Sequence, residues 1–174
     1  MLRWLKWISF VAVLAAATHF AVIAYAPQVI MWRAMTLMGS KGANVVVHAD
    51  RATAASRTIV KPSPDLLYSQ CIFDVTRAPL KVTTAAPTNT YWSVAFYASN
   101  TDNFFVLNDG ATGGNPATIV LLGKGQTLPT QPDGVLIVSP PTSRGIVLFR
   151  TLINDDAREP DLDRERRAAK CEPM

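Results

Sequence analysis

Residues Ile8 to Ala26 form a run of 19 with no charged side chain, interrupted only by Ser9, Thr18 and His19. As a helix rising 1.5 Å per residue, such a run is about 28 Å long, close to the ~30 Å hydrocarbon core of a bilayer. Trp4 and Trp7 lie just before it, and Tyr25 and Trp32 near its far end. Aromatic rings of this kind favour the membrane interface, where an apolar body and a polar tip are both accommodated. His19 within the run reads as a neutral imidazole tolerated in a lone helix rather than as a functional intramembrane group.

A cleaved signal peptide is the rival reading, because Ala24-Tyr25-Ala26 has the small-x-small pattern of a cleavage site. Pro27 directly after that site would disturb an extended protease substrate. The apolar run also exceeds the roughly 7–15 residues of a signal core, and apolar character resumes at Val29-Ile30-Met31-Trp32. An uncleaved anchor is therefore expected, and with no Cys following the run, a lipid-modified N-terminus is not. Arg3 and Lys6 precede the run, which puts the N-terminus in the cytoplasm by the positive-inside rule, although Arg33 and Lys41 reduce the asymmetry. The expected location is a bacterial inner membrane, crossed once, with residues 40–174 in the periplasm. The lipid bilayer is then the first partner.

Charge is distributed as unevenly as apolarity. The chain of 174 residues carries 17 Lys plus Arg, 13 Asp plus Glu and a formal net charge of +4. Its first 49 residues hold Arg3, Lys6, Arg33 and Lys41 and no acid, so residues 50–174 contain 13 bases against 13 acids. The sequence pI of 9.3 thus belongs to the anchor. A nucleic-acid partner is not expected, since that would need Lys and Arg clustered on the folded domain.

Beyond Met38, Gly39-Ser40-Lys41-Gly42 reads as a flexible linker. Short apolar runs then recur every 8–12 residues or so, punctuated by Pro, Gly, Asn and Asp. Strands are predicted at Val45–His48, Leu66–Val75, Leu80–Ala85, Tyr91–Ala98, Phe104–Asn108, Thr118–Leu122, Val135–Ser139 and Gly145–Ile153. Ile119-Val120-Leu121-Leu122 and Val135-Leu136-Ile137-Val138 are nearly continuous apolar runs, which predicts strands buried on both faces. No helical pattern of 10–15 residues or so separates the strands, which makes βαβ units improbable. The expected fold is mainly β: an antiparallel β-sandwich or jelly-roll-like domain preceded by one transmembrane helix. Residues 1–38 form the anchor, with the transmembrane helix at about 8–30, residues 39–44 the linker, residues 45–153 the exported β domain and residues 154–174 a charged tail. Seven acids and five bases crowd that tail, acids early and bases late after Pro160. A short helix over about 161–170 fits the pattern, but without an apolar stripe it reads as a solvated tail rather than core.

Two cysteines, Cys71 and Cys171, leave two states open. A buried free thiol at Cys71 is the expected one, and a Cys71–Cys171 disulfide pinning the tail is the other, favoured by an oxidising compartment. No cofactor or metal is expected, because His48 is the one exported histidine and four-coordinate zinc lacks ligands. There is no G-x-S-x-G elbow, and the Gly-rich stretches at 109–116 and 123–125 lack the Lys-Ser/Thr of a phosphate loop. A polar set is strung along the strands: His48, Asp50, Arg51, Lys61, Asp65, Tyr68, Asp102, Asn103 and Arg150. Lys61, Asp65, Tyr68, Asp102, Asn103 and Arg150 are the candidate ligand-binding residues, with Asp65 as a candidate buried acid and no catalytic residue assigned. The plainer alternative is that Asp and Asn here cap turns and strand ends.

The stretch Ile59-Val60-Lys61-Pro62-Ser63-Pro64-Asp65-Leu66-Leu67-Tyr68-Ser69 resembles the hallmark of a bacterial family, domain of unknown function 1254, usually Val-x-Arg-Pro-Asn-x-Asp-Thr-Leu-Tyr-Ser. The resemblance continues in order through Phe73-Asp74-Val75-Thr76, Ala78-Pro79-Leu80, Tyr91-Trp92-Ser93-Val94, Thr101-Asp102-Asn103-Phe104, Ser139-Pro140-Pro141-Thr142 and Arg150-Thr151-Leu152. His48-x-x-Arg51 and Tyr25-x-Pro27 are weaker echoes. Lys61, Ser63 and Leu66 depart from the usual Arg, Asn and Thr, so a ligand site built on those groups elsewhere would be altered here. The resemblance implies a β-rich sandwich and no established reaction. It also implies a missing companion: the family commonly joins this module to a second β module, domain of unknown function 1214. The expected function is therefore a membrane-tethered exported module for binding or assembly with a partner β protein of the envelope. An envelope enzyme or binder of a small, saccharide-like ligand is the alternative.

Overall fold

The computed structural model describes residues 2–57, 61–129 and 133–174. The apolar run becomes one continuous helix, α1 (Leu2–Met38), which carries Pro27 inside it and extends well past the span expected at 8–30. Among the described residues it is the one helix long and apolar enough to cross a membrane. Trp7, Phe10, Phe20 and Ile23 are exposed on it, and a helix apolar on all sides needs lipid or protein around it. Its last turns have a different role. Met31 and Ala34 are buried against Ile72 and Ile146, with Met35, Met38 and Tyr97 packed alongside.

The predicted flexible linker at 39–44 is fastened to the domain. Gly39 N–H donates to the Met35 carbonyl at 2.9 Å and Asn44 N–H to the Ile72 carbonyl at 2.7 Å. The Asn44 side chain bridges Asp74, donating to its carbonyl at 2.9 Å and accepting from its N–H at 2.8 Å. With both ends of the segment satisfied by the helix and a strand, the glycines serve as a turn.

Eight strands stand where periodicity and punctuation placed them: β1 (Val46–His48), β2 (Leu66–Asp74), β3 (Leu80–Thr83), β4 (Trp92–Ala98), β5 (Asn103–Asn108), β6 (Thr118–Leu121), β7 (Val135–Val138) and β8 (Arg144–Leu152). They form two sheets with a one-turn helix, α2 (Asp109–Thr112), after β5. The larger sheet runs β1-β2-β8-β4-β5, and the smaller contains β7-β6-β3 followed by a strand absent from the expectation, β9 (Lys170–Pro173). The fold is thus mainly β, two sheets preceded by a long apolar helix.

Alternation on β2 and β8 decides what each face does. Cys71, Phe73, Val147 and Phe149 point inward and meet Leu80, Val82, Ile119 and Leu121 of the smaller sheet in the main core. Leu66, Tyr68, Gln70, Ile72, Ile146, Leu148 and Arg150 occupy the opposite, outer face, where α1 ends. Gly145 marks the tightest approach in the sandwich: a Cβ there would lie 2.6 Å from the Phe73 ring.

Two strand expectations need correction. Ile119, Val120 and Leu121 are buried on both faces as predicted, but β7 is an edge strand with Leu136 41% and Ile137 37% exposed. It also pairs with β6 in parallel, a departure from an all-antiparallel sandwich. A continuous apolar run is compatible with burial on both faces but does not enforce it.

The C-terminal segment is built into the fold rather than hanging from it. After a 3-10 turn at Asp156–Arg158, α3 (Glu159–Arg166) buries Leu162 against Leu67 and Ile153. β9 then pairs antiparallel with β3 from Thr83↔Lys170 to Leu80↔Pro173. The absence of a full apolar stripe was a poor guide, because one leucine and one arginine are the contacts α3 buries. Cys71 is not a free thiol. It forms a disulfide with Cys171 across the two sheets, their Cα atoms 6.6 Å apart, within the ~7 Å that such a bridge can span.

Candidate functional site

Tyr68 and Arg150 are cross-strand partners on the outer face of the larger sheet, put there by the two-residue period of β2 and β8. Together with Lys61 on the chain leading into β2, they line an open cavity of about 590 Å³. Leu66, Gln70 and Leu148 form its floor, Leu37 and Met38 at the end of α1 one wall, and Ala49, Asp50, Ala52, Ser56 and Pro62 the rest. The size falls within the ~300–1,000 Å³ of small-molecule sites, and a mostly apolar lining with few polar groups is their usual character.

Each polar group has a definable task. The Tyr68 hydroxyl accepts from Ser63 N–H at 3.1 Å, so it holds the 61–64 segment over the cavity. Arg150 is half-buried and donates through Nη2 to the Tyr97 hydroxyl at 2.8 Å. Among the described residues no carboxylate pairs with Arg150 or Lys61, whereas Arg51, Arg144, Arg164, Arg166 and Arg167 all have one. Ser93 lies across from Arg150 in register, and its buried hydroxyl has no hydrogen-bond partner among the described residues.

The other candidates are elsewhere. Asp65 is exposed rather than buried, and its backbone carbonyl accepts from Ile153 N–H at the opposite end of β8 from Gly145. Asp102 lies in the β4–β5 turn and Asn103 opens β5, both near that Gly145 end. There Asp102 bonds Asn100 and returns its carbonyl to Ala98 N–H, the turn-capping role. Eight residues of strand separate the two ends, roughly 25 Å. One cavity therefore takes Lys61, Tyr68 and Arg150 and leaves out Asp65, Asp102 and Asn103. Ile59 and Val60, which open the hallmark stretch, lie outside the described residues.

A second polar cluster was missed in the sequence. Arg166 is 3% exposed and donates to the carbonyls of Tyr68 at 2.6 Å and Ala49 at 2.7 Å, to Ser69 Oγ at 2.9 Å and to Asp163. Since Arg can only donate, the Ser69 proton is free to point at His48 Nδ1, 2.8 Å away. His48 is held below its ordinary pKa by burial first and then by the charges of Arg166, Arg167 and Lys41, with Asp163 opposing. Asp163 loses solvation, yet the hydrogen bonds and charges of Arg166 and Arg167 outweigh that and hold its carboxyl below the usual range. Arg51 reaches the same region, bonding the Pro64 carbonyl, Asp156 and Glu159, and those two acids raise its pKa. This cluster clamps the C-terminal segment onto β1 and β2. A trace was visible in the sequence, because Ser69 falls on the apolar inward face of β2 and needs a polar partner there.

The model of a family described as protein of unknown function, DUF1254, matches residues 43–173, three-quarters of the chain. The chain belongs to the DUF1254 family. That match runs through the C-terminal segment, in keeping with β9 and α3 being part of the domain. The crystal structure of the VPA0106 protein from Vibrio parahaemolyticus is similar with a TM-score of 0.58 at 12% identity, over 64% of this DUF1254 chain and 28% of that one. That of an uncharacterised protein from Burkholderia cenocepacia gives 0.48 at 12% identity, over 66% and 33%. The first likeness shows a shared fold and nothing of activity. This chain spans a third or less of the length of either protein. No curated protein matches it.

Proposed function

We propose that this DUF1254 chain is a membrane-tethered, exported β module that binds or assembles with a partner β protein of the bacterial envelope. The observation that carries this reading is the outer edge of β7. Val135-Leu136-Ile137-Val138 is short, uncharged and apolar, with Leu136 and Ile137 exposed, and among the described residues no strand pairs with its outer side. An apolar edge with unpaired backbone groups is a template for an added strand, and proteins that keep one open have a use for it. The resemblance to a family that commonly joins this module to a second β module supports such a module as the partner. Arg3 and Lys6, in the first turns of α1 before its uncharged run, support a cytoplasmic N-terminus. The Cys71–Cys171 disulfide supports an oxidising compartment, the periplasm, for the domain.

Co-expression with a domain of unknown function 1214 protein from the same genome, followed by purification in detergent through a tag on this chain, tests the reading. The expected result is a stoichiometric complex that Ile137→Lys abolishes while the variant stays folded. Failure of the two to associate, or a complex indifferent to Ile137→Lys, overturns it.

A further inference from the structure

We propose that the outer-face cavity binds a single-chain anionic amphiphile, an acyl chain ending in a carboxylate or phosphate, with Arg150 as the anion's partner. The site is separate from the β7 edge, which belongs to the other sheet. Three observations converge. First, the cavity of about 590 Å³ is walled by Leu37, Met38, Leu66 and Leu148, which would desolvate a hydrocarbon chain. Second, its charged groups lean cationic: Lys61 sits at the rim and Arg150 is half-buried in the wall, against one acid, the exposed Asp50. A guanidinium with one neutral partner, Tyr97, keeps N–H donors to spare and presents a planar fork suited to a carboxylate or phosphate. Third, the cavity opens beside the last turn of α1. Met38 is 12 residues beyond Ala26, about 18 Å of helix, so the cavity lies within reach of the bilayer surface.

Apolar walls ending in an unpaired, half-buried cation match a molecule that is itself apolar with one anionic end. A saccharide, with polar groups all round, would leave its hydroxyls unmatched against Leu66 and Leu148. Tyr68 has a positioning role, since its hydroxyl anchors the 61–64 segment that carries Lys61.

Photocrosslinking with a diazirine-bearing palmitate tests this on the full chain in phosphatidylcholine nanodiscs, with labelled peptides mapped by mass spectrometry. The expected result is labelling of β2 and β8 peptides around Leu66 and Leu148, competed by decanoate but not by equimolar decanol. Arg150→Gln should lower that labelling by about tenfold or more, the loss of a charge-assisted hydrogen bond, and Lys61→Gln by less. The decanoate-against-decanol comparison uses the unaltered protein, so it decides the matter even where a variant folds poorly. Loss of the label when lysophosphatidylglycerol is added to the disc would identify a single-chain lipid of the bilayer as occupant, and competition by free decanoate alone a free fatty acid. Labelling confined to α1, or equal competition by decanol, overturns the proposal.

Discussion

Replacing Arg166 with Met should destabilise the domain far more than any other single charge removal. The guanidinium is 3% exposed and makes bonds to the Tyr68 and Ala49 carbonyls, Ser69 Oγ and Asp163. Met roughly preserves the volume, so cavity formation contributes little and the polar loss is isolated. Tyr68 O retains Ala49 N–H, and Ser69 Oγ retains His48, so neither is left bare. The Asp163 carboxylate keeps only Arg167, which is half exposed, and the Ala49 carbonyl loses its side-chain donor. Losing the bonds of a buried cation, with Asp163 one-third exposed and still paired to Arg167, costs about 2–4 kcal/mol. For a domain of this size that lowers Tm by roughly 8–15 °C, taking a few degrees per kcal/mol. Urea and thermal unfolding of the full chain in detergent, followed by Trp fluorescence, would measure it. Trp92 is the one tryptophan in the β domain and is 2% exposed, so its red shift reports opening of that domain. Arg167→Gln is the control: it shares Asp163 but is exposed, and it should cost at most about 1 kcal/mol. Equal effects from the two substitutions, or a loss below about 1 kcal/mol for Arg166→Met, would refute the reasoning that this buried clamp holds the C-terminal segment in place.

Removing the disulfide with Cys171→Ala should cost about 2–5 kcal/mol, since its 100-residue separation gives a chain-entropy ceiling near 4.7 kcal/mol. Thiol titration of the unfolded wild-type chain should find none free, and two free thiols would contradict the pairing. Acid sensitivity should come in two steps. His48 has a folded pKa below its ordinary 6.5, so the unfolded chain binds the extra proton and stability falls as pH drops below about 6.5. His48→Gln should flatten that step in Tm against pH. The Asp74 carboxyl is held low because hydrogen bonds from Thr76 and the charges of Arg144 and Arg77 outweigh its burial, as Arg166 and Arg167 do for Asp163. Those contributions are present above the ordinary value of 3.8 and are lost as pH falls through the lower folded values, and Asp163→Asn should remove part of that second step.

Legibility in the sequence followed distance along the chain. The eight strands and the apolar helix are local patterns, and each stood out in a window of a few residues. β7 shows the limit: its composition marked a strand, but whether a neighbour covers it depends on sheet order, which no window of four residues contains. Of the site candidates, Tyr68 and Arg150 share a face because β2 and β8 pair, and register alone keeps Asp65 and Asp102 at opposite ends of the sheet.

The sequence by itself determined the long apolar helix, the β character and the places of eight strands, because helix and strand periods repeat every two to four residues. Only the tertiary structure decided that the C-terminal segment is core, that Cys71 is bridged to Cys171 and that Arg166 closes on Ala49. Those partners lie 100 and 117 residues apart. Contacts at that separation form only after the sheets have brought distant segments together. Before that the C-terminal segment, crowded with seven acids and five bases, is indistinguishable from one that stays in solvent.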